Sequence, residues 1–302
     1  MGIVGFQWGA NQLTLLQNRD NWETRQVLLY KFIYNFVHQY ALHCWLMSKC
    51  VIQRVIKAAA WNEGENILRG RCEESDGTWF CVSKRGRVAF LVDSALMVNM
   101  FDENGRGPES TPVEFFLSGL SPEMFAAKLV AEENEYHSQF EDEDDDEMSG
   151  RAYELIVADI TSGSMVYISK PSSVESVVHT QQVAFGVHTL SLEGLDSGSP
   201  KDQRLRGLFN EMIGQNGNQE LPPMNELAAR LYDPTEAVPG DELTALFVDK
   251  IANLASSELD HERCGTTSTT AFSVNHTNKA KFYERYLENG NWYESNFAFN
   301  IA

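Results

Sequence analysis

The sequence predicts an α+β fold, and three observations carry that prediction. Strand-like text opens and closes the chain, with "IVGFQW" and "QLTLLQ" at one end and "TTSTTAFSVN" and "KAKFYERYLENGNWYESNFAFNI" at the other. Helical spacing clusters between these ends. The regular strand–helix–strand alternation of a doubly wound sheet is missing. At 302 residues the chain can hold one large core or two small ones, and the reading taken here is a single domain over 1–302.

The elements follow in order. "GANQ" is a Gly/Asn turn that closes a hairpin, and its second strand runs straight into Asn18, Arg19 and Asp20. A second hairpin spans Thr78–Asp93, with Gly86 in its turn. "TPVEFFLSGLSPEMFAAKLVAEENEY" has helical spacing, with Pro122 after Ser121 at a helix start. "AYELIVADI" and "SMVYISK" read as strands about Gly163, and "VAFGVHTL" as a further strand. "KDQRLRGLFNEMI", ended by Gly214, "MNELAARLY" and "DELTALFVDKIANLA" read as amphipathic helices. Asn289-Gly290 joins the last two strands.

Composition excludes several function classes. Net charge is −19, which argues against nucleic acid or an anionic membrane surface as the main partner. Part of the excess is local: Glu141–Glu147 is an unbroken acidic run within an acidic loop at 138–150. Such a run repels itself and reads as solvated, and it lacks the alternation and central Gly of a Ca²⁺ loop. The cysteines are Cys44, Cys50, Cys72, Cys81 and Cys264, an odd number with no C-x-x-C, so reduced thiols in a reducing compartment are expected. Cys72 and Cys81 read as core thiols rather than as a bridge. A secretory signal is not expected from "MGIVGFQWGANQLTLL", and Phe6 stands where a myristoylation motif needs Ser or Thr. P-loop, G-x-G-x-x-G, H-E-x-x-H and G-x-S-x-G sequences are absent.

Residues 26–56 do not fit this pattern. Apolar pairs recur at Leu28/Leu29, Phe32/Ile33, Phe36/Val37, Tyr40/Ala41 and Cys44/Trp45. A four-residue period drifts about 40° per repeat against the α-helix, so the stripe winds round the axis. Lys31, Asn35, His38, Gln39, His43 and Lys49 interrupt any membrane-spanning run. Two readings stand: an amphipathic helix, or an in-frame retained intron or gene-model error. The second rests on the residue types, which U-rich intron sequence encodes, and on Val27 and Gln53, whose codons are compatible with splice sites.

The pieces "LLQNRD", "AAAWNEGENILRGR…DGTWFCVSKRGRVAFL", "YELIVADI", "VAFGVHTL" and "CGTTSTTAFSV…YERYLENGNWYESNFAF" are collinear over nearly the whole chain. Through them the chain resembles the transport and Golgi organisation 2 family, also called the NRDE family. The resemblance implies an N-terminal nucleophile (Ntn) hydrolase-like fold, a four-layer αββα sandwich. In catalytic relatives of that fold, such as the choloylglycine and penicillin V amide hydrolases, the initiator Met is removed. A cysteine becomes the first residue, its thiolate attacks an amide, and its α-amine relays the proton. An Arg and an Asp at the end of the second strand favour the thiolate and orient the amine. Arg19 and Asp20 are the positions that would fill those roles.

Three positions depart from the family's pattern. Gly2 stands where the family has cysteine, and glycine has no side chain to attack anything. Asp93 stands near an Asn that relatives use as an oxyanion donor; an ionised Asp would repel an oxyanion. His188 stands where the family tends to have Ser-Asn. The expectation is therefore a chain that is not an amide hydrolase, the alternative being a cysteine-type hydrolase with a degenerate site and Cys81 as substitute nucleophile. Arg19 and Asp20 carry two readings, a structural ion pair or a ligand-recognition pair. Lys84, Arg85 and Arg87 read as a solvated hairpin tip.

For role, the resemblance implies Golgi organisation and protein secretion, or handling of haem, lipid or acyl-CoA species. It places such a protein in the cytoplasm, Golgi-associated or in mitochondria, with peripheral association with secretory-pathway membranes and an unknown small ligand in the ancestral pocket. No cofactor is expected from the residues themselves. Haem enters through the family alone, with His188 or Cys264 as axial ligands.

Overall fold

The computed structural model describes residues 2–22, 25–29, 50–54, 56–62, 66–72, 76–92, 108–139, 153–171, 177–216, 222–249 and 264–302. The chain opens as the expected hairpin, β1 (Gly2–Gly9) and β2 (Gln12–Trp22), turned by Ala10 and Asn11. Asn11 takes the left-handed conformation that such a turn needs, with φ 54°. Next come β3 (Arg25–Leu29), β4 (Cys50–Arg54), β5 (Ile56–Trp61), β6 (Ile67–Cys72), β7 (Phe80–Ser83) and β8 (Arg87–Val92). Two helices follow, α1 (Thr111–Ser118) and α2 (Pro122–Gln139). Gly119, at φ 65°, ends α1, and Ser121 Oγ accepts the Met124 N–H at 3.2 Å at the start of α2.

After residues 140–152, which lie outside the described residues, come β9 (Tyr153–Asp159), β10 (Ser164–Lys170), β11 (His179–Gln182), β12 (Gly186–Ser191) and β13 (Gly194–Leu195). Helices α3 (Pro200–Asn216) and α4 (Met224–Ala229) lead to β14 (Cys264–Val274), β15 (Lys279–Glu288) and β16 (Asn291–Asn300). Fourteen of the described strands form two seven-stranded antiparallel sheets, ordered β13-β12-β1-β2-β14-β15-β16 and β11-β10-β9-β8-β7-β6-β5, and β3 and β4 form a two-stranded sheet of their own.

Period-two alternation gives each sheet two buried faces, and three apolar cores result. Val4, Phe6, Leu15, Phe272 and Phe282 of the first sheet meet Val82, Phe90 and Ile156 of the second. Phe6 packs on Phe90 at 5.2 Å between ring centroids, and Phe80 on Phe272 at 5.6 Å. On its other face the second sheet meets Phe115 of α1 and Phe125 of α2. The first sheet's other face puts Ile3, Leu16 and Ala271 against Leu205 and Phe209 of α3 and Leu227 of α4. Gly5 lets α3 come close: a Cβ there would stand 2.7 Å from the Phe209 ring and 2.8 Å from Leu205 Cγ.

Two expectations are corrected. Gly214 does not end α3, which continues to Asn216. Of the helix expected over "DELTALFVDKIANLA", residues 250–255 lie outside the described residues, and Asp241–Asp249 is not helical in that way. It is a 3-10 turn at Glu242–Thr244 followed by a non-helical strap. In the strap Ala245, Leu246 and Val248 are all buried, a run without helical period. Its backbone is satisfied sideways, Thr266 N–H donating to Val248 O at 2.7 Å and Val248 N–H to Thr266 Oγ1 at 2.9 Å. At the two ends of the 26–56 insert β3 pairs with β4, from Arg25↔Arg54 to Leu29↔Cys50. Val27, Val51 and Ile52 are the β-branched residues that suit such a pair; residues 30–49 lie outside the described residues.

Candidate functional site

The register at the start of the chain sets Gly2 opposite Arg19 and Ile3 opposite Asn18. Directly opposed residues share a face, so the strand end sorts its polar residues by parity. Gln17 and Arg19 point between the sheets, whereas Asn18 and Asp20 point to the helices. Arg19 and Asp20 therefore do not line one pocket together.

Between the sheets, Arg19 carries its guanidinium carbon 4.9 Å from the centre of the Trp79 ring. Gln17 Nε2 reaches across to donate to Leu91 O of β8 at 3.2 Å. Arg19, Gln17, Trp79, Ser268, Thr270 and Glu284 line a cavity with ≈ 20 Å³ of room for the centres of water-sized spheres, enough for one or two waters. Glu284 accepts the Ala59 N–H at 2.7 Å. Burial pushes its carboxyl up, against the opposing pull of that amide and of Arg19. Glu284 is absent from the residues that the sequence suggested. The available signal was alternation: Phe282, Glu284 and Tyr286 share one face of β15, with the acid two residues from a core aromatic.

On the helix side, Asn18 Nδ2 donates to Leu246 O at 2.6 Å and Leu231 O at 3.1 Å, and its Oδ1 accepts from Thr269 Oγ1 at 2.6 Å. Thr266 Oγ1 donates to Asp20 Oδ1 at 2.7 Å, and Lys201 Nζ lies 3.6 Å from Asp20 Oδ2. Both are fastenings between the sheet, α3, α4 and the strap.

At position 2 the chain is tight. A Cβ on Gly2 would stand 2.7 Å from the Asn18 carbonyl oxygen, closer than real contacts of that kind. Across the cleft, Glu154 of β9 sits beside Val92. It accepts from Tyr167 Oη at 2.5 Å and Ser169 Oγ at 3.0 Å. Burial raises the Glu154 carboxyl to about 7 against those two hydrogen bonds. Tyr167 is pushed up to about 12, by burial first and then by Glu154. Neither residue was anticipated from sequence, where "AYELIVADI" reads as an ordinary core strand.

The remaining sequence candidates lie elsewhere. His188 pairs with Phe6, four residues along β1 from Gly2, or about 13 Å at strand spacing. Its Nδ1 is 2.7 Å from Asp196 Oδ2, its Nε2 2.9 Å from Ala184 O, and its ring packs on Phe6 at 5.3 Å. Burial works against the Asp196 carboxylate, but His188, the Thr189 N–H and Arg206 hold it below the usual range. With both ring nitrogens engaged, His188 does not fit a haem axial ligand. Asp93 and the Cys264 side chain lie outside the described residues. Cys81 is buried on the helix-facing side of β7, 3.9 Å from Pro112 O, and burial pushes its thiol far up, which removes it as a nucleophile. Cys72 and Cys81 are both free thiols. Lys84 and Arg85 are exposed at the hairpin tip. Arg87 is not: its guanidinium lies 3.9 Å over the Phe115 ring, and Nη2 donates to Phe115 O at 2.6 Å.

Two antiparallel sheets facing one another, with helices outside and a small polar cavity between, define an α+β protein with an inter-sheet site. The sequence profile described as Transport and Golgi organisation 2 matches residues 1–289, and the chain belongs to that Golgi- and transport-associated family. No curated protein matches the chain. Among the described residues no helix is long and apolar enough to cross a membrane, and none of the His, Cys, Asp and Glu side chains form a group of three or more that could hold a metal ion.

Proposed function

We propose that this chain is a non-catalytic member of its family that holds a small ligand in the inter-sheet cavity at Arg19, in the service of Golgi organisation and secretion. The observation that carries the reading is Gly2. Opposite Arg19, where the resemblance expects a thiol, there is no side chain, and the Asn18 carbonyl fills the space a Cβ would take. The burial of Cys81 on the helix-facing side of its strand supports the same reading, because it keeps that thiol away from the cavity.

The order of the three cores (helices on sheet, sheet on sheet, sheet on helices) supports the αββα sandwich of the Ntn hydrolases as the ancestry of this site. On that reading the strand-end Arg outlived the chemistry it once served. The protein acts from the cytoplasmic side, at secretory-pathway membranes or in mitochondria.

Two measurements test this. The unmodified chain is expected to turn over no member of a panel of amide substrates; turnover would restore the hydrolase alternative. Native mass spectrometry of the purified chain is expected to reveal a co-purifying small molecule that an Arg19→Gln variant lacks. A Gly2→Cys variant then separates a lost nucleophile from a lost pocket, since amide hydrolysis appearing there places the loss at position 2 alone.

A further inference from the structure

Glu284 is a buried acid that the functional reading leaves without a task. It leaves β15 towards the second sheet and lines the same cavity as Arg19. Ala59 of β5 donates its N–H to Oε2 at 2.7 Å, so Oε1 carries the proton when the group is neutral. Among the described residues, the charged and titratable groups that face it are Arg19 from β2 and Tyr286 from its own strand. Its register partners, Thr270 of β14 and Ser295 of β16, are uncharged. Burial favours the neutral acid. In that state the cavity holds a guanidinium lying on an indole, an O–H donor, and the hydroxyls of Ser268 and Thr270. The complement of such a set is a small monoanion with two acceptor oxygens. The cavity's ≈ 20 Å³, room for one or two water-sized oxygens, matches a carboxylate.

We propose that this cavity binds the carboxylate head group of a small organic acid against Arg19, and that Glu284 must be protonated to admit it. The inference rests on the reading of a ligand-holding cavity and adds the ligand's class and its link to protons. Two carboxylates beside one guanidinium in a narrow, largely buried space do not both stay ionised, so the pair keeps one proton between them. Glu284 donates that proton in a hydrogen bond to the ligand. The ligand must itself be ionised, which simple carboxylic acids mostly are above about pH 5. Affinity is therefore highest between that limit and the raised value of Glu284. Above the latter it falls about tenfold per pH unit, because each binding event must take up a proton.

The test is calorimetric titration of the full chain with acetate, butyrate and octanoate between about pH 5 and about pH 9, in buffers of different ionisation heat. The expected result is one site, an alkaline limb with about tenfold loss per unit, and uptake of about one proton on that limb. Glu284→Gln, which keeps an acceptor for the Ala59 amide, is expected to bind with no alkaline limb. Arg19→Gln is expected not to bind. A flat pH profile in the unmodified chain, which depends on no variant's folding, overturns the proton link and leaves the ligand-holding cavity standing. Failure of every carboxylate to bind, with a co-purified ligand still present by native mass spectrometry, overturns the carboxylate class alone. Failure of both overturns the cavity reading as well.

Discussion

On the helix-facing side of β2, Asn18 and Asp20 are tied to Leu231, Leu246, Thr266, Thr269 and Lys201. On the sheet-facing side, one residue away in each direction, Gln17 and Arg19 border a cavity. The two faces sit within one strand turn of each other and are built on opposite principles. One spends its polar groups on closing protein against protein. The other gathers polar groups around a small space. The lesson is that a three-residue motif at a strand end is two half-motifs, because successive side chains leave opposite faces.

The comparison can be broken most forcefully at Asn18. Asn18→Ala would leave two buried carbonyls and the Thr269 hydroxyl without their partner, a loss of about 4 kcal/mol of stability, to be read by urea denaturation. If the loss is small, the helix-facing side is not the fastening described here.

The facing sheet gives the next largest effect. Glu154 is raised from 4.5 to about 7, so the folded chain binds more protons than the unfolded chain between those values. Its contribution to stability is therefore fully present below 4.5 and is lost as pH rises through about 7. The loss is on the order of 3 kcal/mol. Denaturation of Glu154→Gln and the parent chain across this range should show that slope in the parent and not in the variant.

Asp20→Asn keeps an acceptor for Thr266 but leaves the nearly buried Lys201 without its countercharge. A loss of about 2 kcal/mol is expected, with ligand binding at Arg19 unchanged. Loss of the ligand instead would reunite Arg19 and Asp20 in one site. The smallest effect on stability is expected at Arg19 itself. Arg19→Met removes a cation–π contact and should change stability by less than about 1 kcal/mol, while removing any bound anion. A large destabilisation would make the sheet-facing side structural too.

Much of the fold was legible because local rules and burial agreed. The first hairpin followed from apolar alternation around a turn in which Asn11 takes a positive φ. The start of α2 followed from Ser121-Pro122. The strap at Asp241–Asp249 was misread because its apolar residues look helical in isolation. Only the neighbouring β14, with Thr266 offering both a donor and an acceptor, makes the extended form the satisfied one. Arg87 was misread for the same kind of reason: a basic residue near a hairpin tip looks solvated until α1 supplies an aromatic face.

The candidate site was legible in part. Gly2 and Arg19 could be named from the motif and its missing cysteine. Glu284 and Glu154 could not, since an acid within a strand carries no mark of which face it will leave or what it will meet.

The sequence by itself determined the family, the two terminal hairpins, the start of α2 and the absence of a side chain at position 2. Each of these depends on residues near one another in the chain or on the identity of one residue. The tertiary structure alone decided that Arg19 and Asp20 serve different faces, that Arg87 is packed against α1 while Lys84 is not, and that Glu284 meets Arg19. Those outcomes depend on strand register and sheet stacking, which bring together residues as far apart as 19 and 284, and no local pattern encodes such a meeting.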